Sequence, residues 1–371
     1  LSLAETIARP YEGEPVPAHY QGDVIRYVDH FAVFAEHCLK IRSESGEILP
    51  FKLNRAQIFL HEKLEEQRKR RGKVRAIIVK GRQLGSSTYI EGRYFWLSWR
   101  TTKALKTFIL THHDDATANL FGMAQRFHEF LPEPIKPKTH AASAKELIFA
   151  DSGASYAVAT AGGKEVGRSD TIQLFHGSEV PSWPHAESHI ISLQPALSKS
   201  EGSEWIWEST AKGIGNVFYK EAMAALRGDS EFEPIFIPWW WDERKQEPCP
   251  RAHHFSEEWM AYGRLHKLKW QQLYWAWKEN ALFARATSAS DQSICPEFRQ
   301  EYPATFEEAF QSAGNSFIPA LSVMKARKPE KTVHGTGPII LGVDPARDID
   351  KVGIVDRCGR RMGERICETW K

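Results

Sequence analysis

What this chain has little of narrows the field first. Cysteine is scarce: Cys38, Cys249, Cys295, Cys358 and Cys367 stand far apart. An odd number with no CxxC pair argues against a disulfide framework and a zinc ribbon, and fits a reducing, cytoplasmic setting. Long apolar runs are missing. A stretch such as Ala76-Ile77-Ile78-Val79 is far short of the ~20 residues that span a bilayer, so no membrane partner is expected. The opening residues carry Glu5 and Arg9 and lack the apolar stretch of a secretion signal. The first residue is Leu1 rather than Met, which leaves room for trimming at either terminus. Internal repeats and low-complexity tracts are absent. With 42% apolar and 26% charged residues, the composition excludes wholesale disorder, collagen and coiled-coil rods. A length of 371 residues predicts two domains, or three.

Net charge is nearly absent as well, at +2, but it averages two unlike regions. Residues 51–110 hold 15 Lys/Arg against 4 Asp/Glu, whereas residues 201–310 hold 12 against 18. A basic segment inside a neutral chain points to a polyanion partner, although Glu62 to Arg71 also fits an ordinary solvated helix face.

The patterning predicts an α/β fold. Residues 1–22 are rich in Pro and Gly and read as an arm; 23–42 and 54–71 read as helices, with Asn54 as an N-cap. Strands then alternate with helices: strands at 74–79, 105–111, 172–175, 204–208 and 235–237, helices at 87–99, 114–131 and 215–226. A hairpin is expected from 147–149 and 156–159 around Asp151-Ser152-Gly153. The 114–131 helix is expected to bury Ala118, Phe121, Ala124, Phe127 and Leu131. This alternation implies a mostly parallel, doubly wound sheet flanked by helices. Residues 256–310 turn helical and rich in Trp, Tyr and Glu, and strands at 339–343 and 352–355 open a new sheet. The expected organisation is an arm and helices over 1–50, a core over 51–245, a small helical subdomain over 246–325, a linker over 326–338 and the start of a further domain over 339–371.

Five motifs could carry chemistry. Lys80-Gly81-Arg82-Gln83-Leu84-Gly85-Ser86-Ser87-Thr88 lies between a strand and a helix, where a phosphate-binding loop belongs. Against the pattern GxxxxGK[ST], Ser86 stands where the Lys should be. Lys80 or Arg82 is then the phosphate cation, and the Ser87 hydroxyl is placed for Mg²⁺. Ile172 to Glu179 is an apolar strand ending in an acid, the Walker B arrangement. Glu179 would orient the attacking water, with Ser178 replacing the usual Asp. Ser209, Thr210, Gly213 and Asn216 follow a strand end and could sense the γ-phosphate. Gln57 carries an amide able to read an adenine edge, or to cap its helix. Asp344 ends a strand that is followed by Asp348, Asp350 and a second strand, as an RNase H-like nuclease begins. The Trp residues, including Trp239-Trp240-Trp241, Trp259, Trp270, Trp275 and Trp277, read as packing.

In this order the motifs resemble one family, the large subunit of tailed-phage terminases. Three further stretches resemble it: Gly167-Arg168-Ser169, Ser209 to Asn216 with Phe218-Tyr219, and Phe298-Arg299-Gln300-Glu301-Tyr302-Pro303 through Glu307-Glu308-Ala309-Phe310 to Gly314. The resemblance implies a P-loop (ASCE-type) ATPase with a small helical subdomain and the start of an RNase H-like nuclease. Its cofactors would be ATP and Mg²⁺, with Mg²⁺ or Mn²⁺ at the nuclease. Carried over by position, Gln57 corresponds to the adenine-reading Gln. Lys80, Gly81, Arg82, Gln83, Gly85, Ser86, Ser87 and Thr88 form the phosphate loop. Glu179 is the catalytic Glu, Arg168 an arginine near the site in cis or trans, Ser209 to Asn216 the coupling motif, and Asp344 the first nuclease acid. The remaining nuclease acids would lie beyond Lys371, so cutting is not expected of this length of chain. The partners implied are double-stranded DNA, a portal protein, a small terminase subunit and further copies of the chain in a ring. The setting would be host cytoplasm, transiently at the procapsid portal and outside the mature virion. DNA contacts would be sequence-independent and salt-sensitive. A helicase-type translocase and a non-hydrolysing DNA-binding assembly protein are the rival readings.

Overall fold

The computed structural model describes residues 30–143, 145–162, 171–287 and 293–310, and three strands beyond residue 341. The chain divides into two units, Leu1–Asn315 and Ser316–Lys371.

The first unit opens with α1 (Phe31–Cys38) and an antiparallel hairpin, β1 (Lys40–Arg42) and β2 (Ile48–Pro50). The helix expected over 23–42 therefore stops at Cys38. A turn at Ser43–Gly46, with Gly46 at φ 87°, doubles the chain back so that Lys40–Arg42 pairs as a strand. α2 (Arg55–Arg71) starts where predicted. Asn54 and Gln57 form a reciprocal capping box, and Gly72 ends the helix in the left-handed region.

The elements that follow are β3 (Val74–Lys80), α3 (Ser86–Arg100), β4 (Lys106–Thr111), α4 (Asp114–Glu129), β5 (Thr139–Ser143), β6 (Glu146–Phe149), β7 (Ser155–Thr160), β8 (Leu174–Ser178), α5 (Ala186–Leu193), β9 (Glu204–Ser209), α6 (Val217–Arg227) and β10 (Glu233–Ile237). They build an eight-stranded sheet in the order β10-β3-β9-β8-β4-β7-β6-β5. Strands β10 to β7 in that order run parallel, and β6 and β5 close one edge antiparallel. The predicted hairpin is β6–β7. β8 starts later than expected, because Ile172 makes only an isolated bridge to Leu197.

Every residue of β3 is buried, as a central parallel strand requires. Ala76 and Ile78 pack with α1 to α4 on one face, and Ile77 and Val79 with α5 and α6 on the other. The buried stripe of α4 is Thr117, Leu120, Phe121, Ala124 and Phe127, which leaves Ala118 exposed. The Thr117 hydroxyl bonds Thr111 and Thr160, which holds the helix one position round from the apolar expectation. Arg93 of α3 is fully buried and forks onto Glu204 at the start of β9 at 2.8 and 2.7 Å.

A third core follows the sheet. Trp239–Trp241 form one short turn, then α7 (Glu257–His266), α8 (Trp270–Thr287), α9 (Pro296–Glu301) and α10 (Phe306–Ala309). Trp239, Trp259, Tyr262, Leu273, Phe298 and Tyr302 fill it. Among the described residues the tryptophans are mostly packing, as expected, although Trp270 is 57% exposed.

The second unit holds three antiparallel strands: β11 (Gly342–Asp344), β12 (Val352–Val355) and β13 (Arg361–Arg365). β12 matches expectation; of the strand expected at 339–343, residues 339–341 lie outside the described residues and β11 runs on to Asp344. The third, Arg361-Met362-Gly363-Glu364-Arg365, carries too little apolar signal to be predicted. The linker at 326–338, Asp348 and Asp350 lie outside the described residues. Among the described residues no helix is long and apolar enough to cross a membrane.

Candidate active site

β3, β9 and β8 are neighbours, so their C-terminal ends converge. Lys80 ends β3, Ser178 ends β8 ahead of Glu179, and Glu208 and Ser209 end β9. Ligands of parallel α/β sheets bind at this edge.

The loop between β3 and α3 is held tightly. A Cβ on Gly81 would stand 2.9 Å from Cα of Trp239, so only glycine fits against that turn. Gln83 (φ 60°) and Gly85 (φ 78°) bend the chain through left-handed conformations. Gly85 precedes α3 with no side-chain cap, so the first-turn amides point at whatever occupies the loop. Ser86 is buried, and Ser87 and Thr88 are half-buried on that first turn.

Braces surround the loop. Gln57 Nε2 donates to the Gly85 carbonyl at 2.8 Å, while its Oε1 accepts from the Asn54 amide at 2.9 Å. The amide expected to read an adenine edge is engaged here at both ends, at 4% exposure. Gln57 is thus a loop brace in this conformation, and the reason is local: the capping box turns its side chain toward Gly85. The Arg82 amide donates to the Glu301 carbonyl at 2.9 Å, and its guanidinium lies 3.4 Å from the Glu301 carboxylate. Arg244 donates to the Gln83 carbonyl at 3.1 Å. The 298–310 stretch thereby has a local role, holding the loop through Glu301.

Lys80 and Arg82 are not equivalent. Arg82 is 58% exposed, whereas Lys80 is buried at the centre of the site. The Lys80 ammonium lies 3.1 Å from Glu208 Oε2 and 3.4 Å from Glu179 Oε1. Burial alone would push this lysine down, but the Glu208 and Glu179 carboxylates outweigh it and hold the ammonium above the ordinary lysine range. Glu179 sits at φ 53°, a strained position for a non-glycine residue. Its other oxygen accepts from Ser209 Oγ at 2.8 Å, and its side chain remains 25% exposed, within reach of water.

Glu208 is the residue that sequence reasoning missed. It is fully buried, and its Oε1 accepts from Ser87 at 2.8 Å and from Ser178 at 2.9 Å. His176 lies behind it, with Nε2 at 3.5 Å from Glu208 and Nδ1 at 2.6 Å from Glu91. Burial would lower His176, but the neighbouring Glu208 and Glu91 carboxylates outweigh it and raise the imidazole to about 9. Burial would raise Glu208; Lys80 and His176 outweigh it and keep the carboxyl well below the usual range. The available sequence signal was an acid at the end of an apolar strand, one residue before the coupling motif.

Beyond Ser209, Thr210 is buried and Gly213 adopts φ 76°. Asn216 caps α6 by accepting from the Tyr219 amide at 2.8 Å. Its Nδ2 donates back to the carbonyls of Ala211, Lys212 and Gly213. The 209–216 segment thus runs continuously from Glu179 to a helix N-terminus. Arg168 lies outside the described residues. Asp344 belongs to the second unit, as the last residue of β11.

No protein-family model matches the chain, and no curated protein matches it. Solved structures do. The chain is similar to the large terminase of bacteriophage HK97, with a TM-score of 0.53 and 16% identity over 89% of this chain and 64% of that one. It is also similar to the large terminase ATPase domain of Thermus phage P74-26, with a TM-score of 0.44 and 18% identity over 69% of this chain and 94% of that one. The chain thus spans about 64% of the length of the HK97 protein. With its strand order and strand-to-helix loop, the chain has the α/β P-loop ATPase fold of the phage large terminases.

Proposed function

We propose that this chain is the ATP-hydrolysing subunit of a phage DNA-packaging motor. The observation that carries the reading is the meeting of Lys80 and Glu179 at 3.4 Å, beside a glycine-led helix N-terminus. A cation and a water-accessible carboxylate at the end of parallel strands are the two groups that phosphoryl transfer to water needs.

ATP lays its phosphates along the amides of residues 81–88. Lys80 then turns from its two carboxylates to the γ-phosphate, and Glu179 is freed to orient the attacking water. Ser209 keeps Glu179 in line. Loss of phosphate relaxes that contact and moves the 209–216 segment, which carries the change to α6. The Ser87 hydroxyl beside the ionised Glu208 fits the hard oxygen donors that Mg²⁺ prefers. Bound with ATP, Mg²⁺ would offset charge on the β- and γ-phosphate oxygens.

The solvent-facing part of the basic excess of residues 51–110, such as Lys52, Lys63 and Lys69, would grip DNA phosphates, whereas Lys80 and Arg82 belong to the nucleotide and Arg75 and Arg93 are buried in the fold. The complete protein would translocate double-stranded DNA into a procapsid and cut it with a nuclease that includes Asp344. It would work in host cytoplasm as a ring on a portal protein, with a small terminase subunit. A DNA-stimulated ATPase assay tests the core of this. The wild type should hydrolyse ATP faster with DNA, and Glu179→Gln should bind ATP yet lose about 10²–10⁴-fold in turnover. Normal turnover in Glu179→Gln removes the catalytic assignment. Binding without turnover in the wild type favours the non-hydrolysing assembly protein.

A further inference from the structure

β8 ends in Ser178, a residue that cannot carry the negative charge an acid at that position would supply. The charge is present all the same, delivered from the next strand. Glu208 of β9 places Oε1 between the Ser178 and Ser87 hydroxyls, at 2.9 and 2.8 Å. Its other oxygen meets Lys80 at 3.1 Å. Ser178 is thus a donor to the carboxylate rather than its replacement.

We propose that Glu208 is the acid that positions the Mg²⁺-binding hydroxyl of Ser87, taking the part that residue 178 does not fill. The inference rests on the ATPase reading and deepens it. Three features support it. The carboxylate is fully buried, so its charge acts in a medium of low screening. Two basic side chains flank it, the Lys80 ammonium 3.1 Å from Oε2 and the His176 ring 3.5 Å from Oε1. It is also rigid: His176 is fixed from behind by Glu91 at 2.6 Å, and Glu91 accepts a further hydrogen bond from Tyr156. A surface carboxylate that merely strayed near Ser87 would have none of this support. The same carboxylate touches Lys80 and Ser87, so one residue sets the position of both phosphate-facing groups.

Glu208 acts through Ser87, and its test must therefore read the metal rather than turnover. The probe is a fluorescent ATP analogue bound to the chain and titrated with MgCl₂, with folding followed by thermal melting. The analogue should bind the wild type more tightly as Mg²⁺ is added. Glu208→Gln should lower the apparent Mg²⁺ affinity by about 10–100-fold while Mg²⁺-free binding persists, as loss of a supporting partner does at metal sites. Ser178→Ala, a smaller change that keeps the carboxylate, should shift it by less than about threefold. Ser178→Asp in the Glu208→Gln background should recover part of the loss, because it returns a carboxylate to the same spot. An unchanged Mg²⁺ titration in Glu208→Gln overturns the inference. So does a loss of about tenfold or more in Ser178→Ala, which keeps Glu208 in place, and this outcome is readable even where Glu208→Gln does not fold. A wild-type chain that binds no nucleotide at any Mg²⁺ concentration overturns the ATPase reading, and this inference with it.

Discussion

Lys80 is held between two carboxylates, and the proposed ATPase reading makes it, rather than Arg82, the cation that meets phosphate. Arg82 offers its charge largely to solvent and to Glu301 at 3.4 Å, an arrangement worth about 0–1 kcal/mol. Lys80 is desolvated, and hydrogen bonds to charged groups in such places are worth about 1.5–3 kcal/mol. Lys80→Ala should therefore weaken ATP binding about tenfold or more, and Arg82→Ala less than about fivefold, by equilibrium titration. The opposite ranking would assign the phosphate cation to Arg82. Glu179 shows the same economy of groups: one oxygen on Lys80, the other on Ser209, and a backbone in the left-handed region that aims both.

Among the elements, the phosphate loop depends on neighbours distant in sequence. It leans on the Trp239 turn through Gly81, on α2 through Gln57 and on α9 through Glu301. Gly81→Ala tests the first of these. The added methyl meets backbone rather than a flexible side-chain tip, so the loop must move away from Trp239. Overpacking of this kind costs about 1–3 kcal/mol, and a lowered melting temperature together with weaker ATP binding is expected. A variant that melts and binds like the wild type would show that the loop has slack there. α3 and β9 are tied independently by Arg93 and Glu204, both buried. Removing one partner of such a pair costs about 3–5 kcal/mol, so Arg93→Met should lower the denaturant midpoint sharply even though it touches no site residue.

The whole first unit carries a pH signature that is separate from the site. His61 of α2 is buried against Tyr89, with Nδ1 2.9 Å from the phenol oxygen. Burial, and then the Arg93 guanidinium, push its imidazole down to about 4. The unfolded chain takes up this proton near pH 6.5, and the folded chain only near 4. Stability is therefore fully present above the unfolded value and lost as pH falls through the folded one. The loss is of order 3 kcal/mol. Urea midpoints of the wild type should drop more between pH 7 and pH 4 than those of His61→Gln. Parallel profiles for the two would place the acid sensitivity elsewhere.

Much of this molecule was determined by local sequence. The Asn54 and Gln57 cap, the apolar run of β3, the strand–loop–helix around Gly81 and Gly85 and the β6–β7 hairpin follow from propensities within a few residues. So do the places of Lys80, Glu179, Ser209 and Asn216 at strand ends or helix starts. Local signals misjudged the elements whose partners lie outside the segment. β1 forms because β2 returns to it, the face of α4 is turned by Thr111 and Thr160, and β13 is specified by pairing with β12. The site divides in the same way. That a cation and an acid sit at strand ends is written in the chain. Which strands lie side by side is not, because strand order depends on long-range crossovers. Only the placement of β9 between β3 and β8 brings Glu208 to Ser87, Ser178 and Lys80, and supplies a charge that residue 178 lacks.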